Sequence, residues 1–320
     1  MEAIRRVAIV MPQYNDWDCL PNLLAELNAV AASRFDFDVT IVNDGSTESM
    51  PSFPDLDVGL LERVQIVHLG GNLGHQRAIA VGLVEVTHDS SLDAIIVMDA
   101  DGEDDPKNIV PLLRELSTKA DGVVAAKRGH RYDGLLFRFC YGLYKWSFKV
   151  LTGQHLDFGN FCALSPSAVS RLSLMPALWN HFPSSIMRSG LPLSRICLDR
   201  RQRYLGSSKM NLTSLVSHGL SGIAVFVDKV FVRLLGFSVL VIAAMLSVVV
   251  VSFAVRIALG GPIPGWAALV ATAATIVAIQ AVGLLLMLTF TTLSMRSNYV
   301  PPPATYTRTY IKGRSELGPT

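Results

Sequence analysis

The sequence predicts an α/β domain with a mostly parallel sheet and helices on both faces, followed by amphipathic interface helices and two C-terminal transmembrane helices. Two observations predict it. Short apolar runs alternate with helical patterns through the first 210 of 320 residues. Two later stretches, 234–255 and 267–293, carry no charged residue, and each exceeds the ~20 residues that cross a bilayer as a helix.

The predicted strands are residues 7–11, 39–42, 64–69, 94–98 and 122–126, and the predicted helices between them are 19–32, 75–86 and 108–116. Ligands of such sheets bind beyond the carboxyl ends of the strands. The polar segments at those ends are Pro12-Gln13-Tyr14-Asn15-Asp16, Asn43-Asp44-Gly45-Ser46, Gly70-Gly71-Asn72-Leu73-Gly74-His75, the acidic run from Asp99 to Glu103, and Lys127-Arg128. Five strand ends are thus expected to converge on one cleft. Each piece has a plainer reading: Asp44-Gly45 is a common turn, and the glycines around Asn72 suit the start of a helix. Neither glycine cluster fits G-x-G-x-x-G or G-x-x-x-x-G-K-[ST], which disfavours a dinucleotide fold and a P-loop kinase.

A D-x-D pattern occurs four times, at Asp16/Asp18, Asp36/Asp38, Asp55/Asp57 and Asp99/Asp101. Only the last leaves a five-residue apolar strand, AIIVM, and has a third carboxylate, Glu103, two residues on. Hard carboxylate oxygens gathered there suit Mg²⁺ or Mn²⁺. The alternative is a solvated acidic turn capping a helix that Pro106 begins.

Half of the residues are hydrophobic, and the excess is concentrated in a predicted hairpin, residues 234–295, with spans of about 234–256 and 266–294. Lys229 and Arg233 precede the first span, and Arg296, Arg308, Lys312 and Arg314 follow the second, against Arg256 alone between them. The positive-inside rule places the large domain, residues 1–210, and the tail, 296–320, on the cytoplasmic side of the inner membrane. Gln280 and the threonines of the second span suit a face packed on the first helix or on another subunit of a homo-oligomer. The N-terminal apolar run is too short for a signal peptide, so no export is expected. Cys19, Cys140, Cys162 and Cys197 are scattered and read as reduced thiols, and the net charge of +2 points to no nucleic-acid partner.

Residues 134–152 carry Leu136, Phe139, Leu143, Trp146 and Val150 at helical spacing, with Arg138, Lys145 and Lys149 on another face. A basic, aromatic amphipathic helix of this kind reads as lying on membrane lipid. A second juxtamembrane helix, 211–233, has a similar stripe from Leu215 through Val230 and reads equally well as core-facing.

Taken together, these segments resemble the family 2 glycosyltransferases of GT-A fold, within them the polyisoprenyl-phosphate glycosyltransferases that include dolichol-phosphate mannose synthase. Besides the strand-end segments, Asp157-Phe158 and the pattern R-x-x-G-x-S-K from Arg203 to Lys209 carry the resemblance, which covers nearly the whole chain. It implies a nucleotide-sugar site of Pro12, Tyr14, Asn15, Asp16, Asp44, Gly45, Asn72, Asp99 and Ala100, with Asp44 holding the base. It implies a Mg²⁺ or Mn²⁺ site of Asp99, Asp101 and Glu103. Asp101, Arg128, Asp157, Arg203 and Lys209 would be catalytic, and Arg203, Ser208 and Lys209 would hold an acceptor phosphate. Three positions depart from the family pattern: Glu103 where relatives often carry Gln, Asp16 for a commoner Glu, and Asn43 for a commoner Asp.

Cleaving a sugar from a nucleoside diphosphate builds negative charge on the leaving phosphate, which a divalent cation neutralises. A lipid monophosphate, with a second pKa of about 6, is largely dianionic at pH 7 and needs no strong base. It needs cations to hold it near a diphosphate, and Arg203, Lys209 and Arg128 are the candidates. Asp157, set between apolar residues, requires a partner, either those cations, the sugar or a structural arginine. The expected activity is therefore transfer of one sugar, with inversion, from a UDP- or GDP-sugar to a polyprenyl phosphate such as undecaprenyl or dolichyl phosphate. Two alternatives stand beside it. One is a different lipid or a polysaccharide acceptor, the latter weakened by the missing Q-x-x-R-W motif. The other is a non-catalytic, membrane-tethered sugar-nucleotide sensor.

Overall fold

The computed structural model describes residues 4–32, 35–51, 53, 58–119, 121–128, 135–204, 212–259, 265–297 and 300–317. They fall into two compact units, one of residues 1–145, 154–225 and 300–320 and one of residues 146–153 and 226–299.

The first unit is built on a sheet whose strands are β1 (Arg6–Gln13), β2 (Asp36–Asn43), β3 (Arg63–Leu69), β4 (Ala94–Val97), β5 (Val123–Arg128), β6 (Phe158–Leu164), β7 (Leu193–Leu198) and β8 (Ile311–Leu317). Their order is β7-β5-β6-β4-β1-β2-β3-β8. β1 pairs in parallel with β2, from Arg6 opposite Asp36 to Gln13 opposite Asn43, and with β4, from Val7 opposite Ala94. β6 runs antiparallel to β4 and β5, and β8 antiparallel to β3. β1 reads as a continuous apolar run because both of its faces are covered. On one face Val7, Ile9 and Met11 pack with α1 (Leu20–Ala31) and α3 (Ile109–Leu116). On the other, Ala8 and Val10 pack with α2 (His75–Val86), α5 (Pro166–Ser173) and α6 (Phe182–Ser189). Gly82 lets α2 approach closely: a Cβ there would stand 2.4 Å from Val10 Cγ1.

From β1 the sheet grows through β2 to β3 on one side, and then β4 is laid on the other side of β1. That reversal leaves a crevice beyond the carboxyl ends of β1 and β4, the usual ligand site of such sheets.

Three strands went unforeseen from the sequence. β6 runs antiparallel to its neighbours, β7 is only half-buried, and β8 lies where a tail was expected. In β8 only Ile311, Gly313, Ser315 and Leu317 turn inward, so the strand shows almost no apolar signal. What fixes it is the open edge of β3, together with ion pairs of Arg314 with Glu85 (2.9 Å) and of Arg63 with Glu316, and a 2.8 Å bond between His68 and Ser315. The helix expected over 211–233 is interrupted. α7 (Leu212–Ala224) ends before Val225, whose carbonyl accepts from Arg188 instead of continuing the helical ladder.

The second unit contains α8 (Val227–Leu259) and α9 (Gly265–Ser297), each 33 residues long. At 1.5 Å per residue each reaches about 50 Å, against the ~30 Å hydrocarbon core of a bilayer. Both are long and apolar enough to cross a membrane. Arg256, placed in a connector by its charge, is in the last turn of α8. Phe237, Leu240, Leu269, Met287 and Phe290 are exposed, while Ala274 and Thr292 are buried. Ser247, Ser252, Thr272, Thr275 and Thr289 return their hydroxyls to carbonyls four residues back, so these polar groups are satisfied within their own helices. In α4 (Leu135–Thr152), Leu143, Trp146 and Val150 are exposed, and Phe148 is buried edge-on against Phe226 at 6.0 Å.

Candidate functional site

The loops after β1, β2 and β3 are braced by one another. Asn15 takes a left-handed φ of 52°, which turns its side chain toward the β2 loop. There it donates to Thr47 Oγ1 and accepts from the amides of Thr47 and Glu48, while its own amide donates to Ser46 Oγ. Asp44, 3% exposed, accepts from the amides of Leu73 (2.7 Å) and Gly74 (2.9 Å). Burial raises its pKa above the ordinary carboxylate value despite those two bonds. Gly45 has φ +67°, and a Cβ on it would stand 2.5 Å from the backbone carbon of Gly71. Pro12 is buried, Tyr14 is 38% exposed, and Asn72 lies on the surface.

The acidic segment follows β4. Ala100 is buried beneath it, and Asp99 and Asp101 are partly exposed. Asp99 meets His75 Nε2 at 3.2 Å and the Asn160 side-chain amide at 3.3 Å through Oδ1, and Arg200 at 3.2 Å through Oδ2. The Arg200 guanidinium also binds Asp104 at 3.1 Å and Glu103. Its pKa stands above the ordinary value, because the charges of Asp104, Asp99 and Glu103 outweigh burial. Burial and the charge of Asp99 push the Asp101 pKa up to about 6. Asp104 is raised for the same two reasons.

A segment after β7 crosses this site. Arg201 donates its amide to the Glu103 carbonyl and its guanidinium to Glu26 at 2.7 Å. Arg203 lies 2.8 Å from Asp16 and 3.6 Å from Asp101. Tyr204 donates its amide to the Asp101 carbonyl, and its ring fills the space a side chain on Gly102 would need. Asp157, at the start of β6, pairs with Arg195 at 2.9 Å and Lys127 at 3.6 Å. Asp16, Asp99, Asp101, Glu103 and Arg203 are therefore brought together, and Asp157 lies in a separate charge cluster. Ser208, Lys209 and the side chain of Arg128 lie outside the described residues.

The sequence profile of Glycosyl transferase family 2 matches residues 8–171, just over half of the chain. The chain belongs to that family. A family 2 relative named undecaprenyl-phosphate 4-deoxy-4-formamido-L-arabinose transferase, from Pseudomonas fluorescens, is 31% identical over 159 residues, 49% of this chain and 45% of the relative. The protein of the same name from Yersinia enterocolitica is 27% identical over 229 residues, 68% of this chain and 66% of the relative. The chain thus spans about half to two thirds of the length of these two. The Enterobacter protein of that name is 27% identical over 84% of this chain and 81% of its own length. Among solved structures, glucosyl-3-phosphoglycerate synthase from Mycobacterium tuberculosis, in complex with Mn²⁺, UDP-glucose and phosphoglyceric acid, superimposes with a TM-score of 0.50 at 15% identity, over 71% of this chain and 80% of that one. At that identity the likeness concerns the fold of this family 2 chain alone.

The charges of the site fit a divalent cation. The five carboxylates Asp16, Asp99, Asp101, Glu103 and Asp104 outnumber the two guanidiniums they face, Arg200 and Arg203, and burial together with the charge of Asp99 raises the Asp101 pKa. Among the described residues no three Asp, Glu, His or Cys side chains converge as a complete ligand set. Asp99 and Asp101 can supply two oxygens, so a bound cation would complete its shell with oxygens of water or of a ligand. Glu103 is held by Arg200, as is one oxygen of Asp99. Arg200, Asn160 and Arg195 were not singled out from the sequence, and His75 and Lys127 were expected at the cleft only as parts of strand-end segments. Arg200 had a signal, the cluster Arg200-Arg201-Gln202-Arg203, but its contacts join residues about 100 positions apart.

Proposed function

We propose that this chain is a membrane-anchored glycosyltransferase that moves one sugar, with inversion, from a UDP- or GDP-sugar to a polyprenyl phosphate, using Mg²⁺ or Mn²⁺. The observation that carries the reading is the carboxylate pair Asp99/Asp101 at the switch point of a family 2 fold, where burial and Asp99 raise the Asp101 pKa and Arg203 crosses the site. The cation, held by Asp99 and Asp101 with the donor diphosphate, would neutralise charge on the leaving group. Asn15, Asp44 and Gly45 keep the three loops of the nucleotide pocket in one arrangement. Arg203 offers a guanidinium for a phosphate, with Ser208, Lys209 and Arg128 as further candidates. The acceptor phosphate oxygen forms the new bond to the anomeric carbon as the bond from that carbon to the diphosphate breaks. The nucleoside diphosphate leaves with the electron pair. Asp157, in its separate cluster, holds Lys127 and Arg195.

The reading extends to location. Residues 1–210 form the catalytic domain, α8 and α9 the anchor, and the exposed Leu143, Trp146 and Val150 of α4 a lipid-facing surface. The chain leaves the first unit before α8 and returns to it as β8. The lysine and arginine excess there favours the cytoplasmic side of the inner membrane. The names of the 4-deoxy-4-formamido-L-arabinose transferases support undecaprenyl phosphate as acceptor.

The test uses purified full-length protein in detergent with Mn²⁺ and radiolabelled UDP- and GDP-sugars, with and without undecaprenyl phosphate. Label that enters the organic phase only with acceptor is the expected result. Loss of that label in Asp101→Asn would tie it to the acidic site. Donor hydrolysis with no lipid label under any donor would sink the acceptor assignment.

A further inference from the structure

Gln13 is the last residue of β1 and is 2% exposed. Neither its side-chain nitrogen nor its side-chain oxygen has a hydrogen-bond partner among the described residues. Its backbone is fully used, since its carbonyl accepts from the Asp44 amide at 2.8 Å and it pairs with Asn43 in the sheet. A buried carboxamide with no partner destabilises a fold, whereas leucine or methionine would fill the same space without that cost. Folding alone therefore gives no reason for glutamine here.

Its position gives one. Alternation along β1 puts Gln13 on the face of Val7, Ile9 and Met11, and the core of that face includes Trp17 and Ala100, with Tyr204 packed against it. Trp17 and Ala100 follow the carboxyl ends of β1 and β4, the two strands that border the switch-point crevice. The geometry points to Gln13 as a specificity-determining residue whose carboxamide hydrogen-bonds the nucleoside part of the donor. This rests on the nucleotide-sugar reading above. A carboxamide presents one donor face and one acceptor face, and a phosphate offers acceptors only, which would leave the glutamine oxygen unpaired. A nucleobase edge or a ribose hydroxyl supplies both kinds of partner. Contact with the nucleoside requires that Gln13, 2% exposed, be uncovered on binding.

The test compares the wild-type full chain, Gln13→Leu and Gln13→Met in detergent with Mn²⁺. Binding of UDP, GDP, their 2′-deoxy forms and inorganic pyrophosphate is measured by calorimetry, and thermal unfolding is measured alongside. In both variants the preferred nucleoside diphosphate should bind about tenfold more weakly, pyrophosphate should change by less than about twofold, and Tm should hold or rise. If the loss vanishes with the 2′-deoxy nucleotide, the 2′-hydroxyl is the partner; if it persists, the base or the 3′-hydroxyl is. Unchanged nucleotide binding overturns the inference, and so does a fall in Tm with parallel loss of pyrophosphate binding, which marks a structural glutamine. A wild-type chain that binds none of the nucleotides overturns the donor reading itself, a failure visible before any variant is compared.

Discussion

Arg203 and Asp16 form a 2.8 Å ion pair that joins the segment after β7 to the loop after β1. Both side chains are mostly buried, so the pair is screened less than a surface bridge. The same guanidinium is 3.6 Å from Asp101. Arg203 thus serves two carboxylates from different loops, and removing it takes the same cation from both. A double-mutant cycle of Arg203→Gln and Asp16→Asn should give a coupling energy of about 1–2 kcal/mol in thermal or denaturant unfolding. Arg203→Gln alone should lower kcat by roughly a hundredfold. Additive stability changes would mean that the pair does not hold the segment in place.

Metal affinity should fall with acid. The Asp101 carboxyl, raised to about 6 by burial and the neighbouring Asp99, must lose its proton to act as a ligand. Lowering the pH from 7 to 5 should weaken Mn²⁺ binding by about tenfold, read by calorimetry. The sign for stability is opposite to that of an ordinary salt-bridged aspartate. A folded pKa above the unfolded value contributes stability below about 3.9 that is lost as pH rises through about 6. The metal-free protein therefore carries its unfavourable charge at neutral pH, and Mn²⁺ should raise Tm more at pH 7.5 than at pH 5. An equal rise at both would argue against Asp101 as the ligand.

β1, α1 and β2 were legible because β1 and β2 carry apolar runs and α1 has a helical apolar period, and the switch-point loops follow from the strand ends. The acidic segment was legible for the same reason, since AIIVM ends at Asp99. Arg200 was not legible, because what makes it part of the site is contact with Asp99, Glu103 and Asp104, set by the sheet rather than by spacing. β8 escaped for a related reason: half of its residues face outward, and Gly313 and Ser315 occupy inward positions. Asp157 was read as a residue needing a partner, and its Arg195 and Lys127 contacts meet that need.

Gly45→Ala should damage the nucleotide loops. An alanine there takes a left-handed φ and drives its Cβ to 2.5 Å from Gly71 C and 2.7 Å from Asn72 N, backbone atoms that cannot rotate aside. The expected cost is about 2–4 kcal/mol in unfolding, with weaker UDP or GDP binding. Gly71→Ala is the control, because nothing lies within 4 Å of its built Cβ and its φ is not positive. Similar losses in both variants would show that the loop needs glycine for flexibility rather than for close approach.

Acid should also loosen the contact between α6 and α7. His181 is 2% exposed, its Nδ1 accepts from the Ser184 amide, and its Nε2 is 3.3 Å from His218 Nε2. With Nδ1 accepting, the neutral ring carries its proton on Nε2 and donates it to His218. Burial, and then the neighbouring His218, lower the His181 pKa to about 3. The unfolded chain takes up a proton near pH 6.5 and the folded one does not, so stability present above 6.5 is lost as pH falls toward 3. At pH 5 the loss from this group is about 2 kcal/mol. Asn at this position retains an acceptor for the helix start and removes the titration. His181→Asn should therefore lose less Tm than wild type between pH 7 and pH 5. Because Asp101 acts in the opposite direction over part of that range, the comparison is best made with Asp101→Asn present in both proteins. An unchanged slope there would place the acid sensitivity outside the histidine pair.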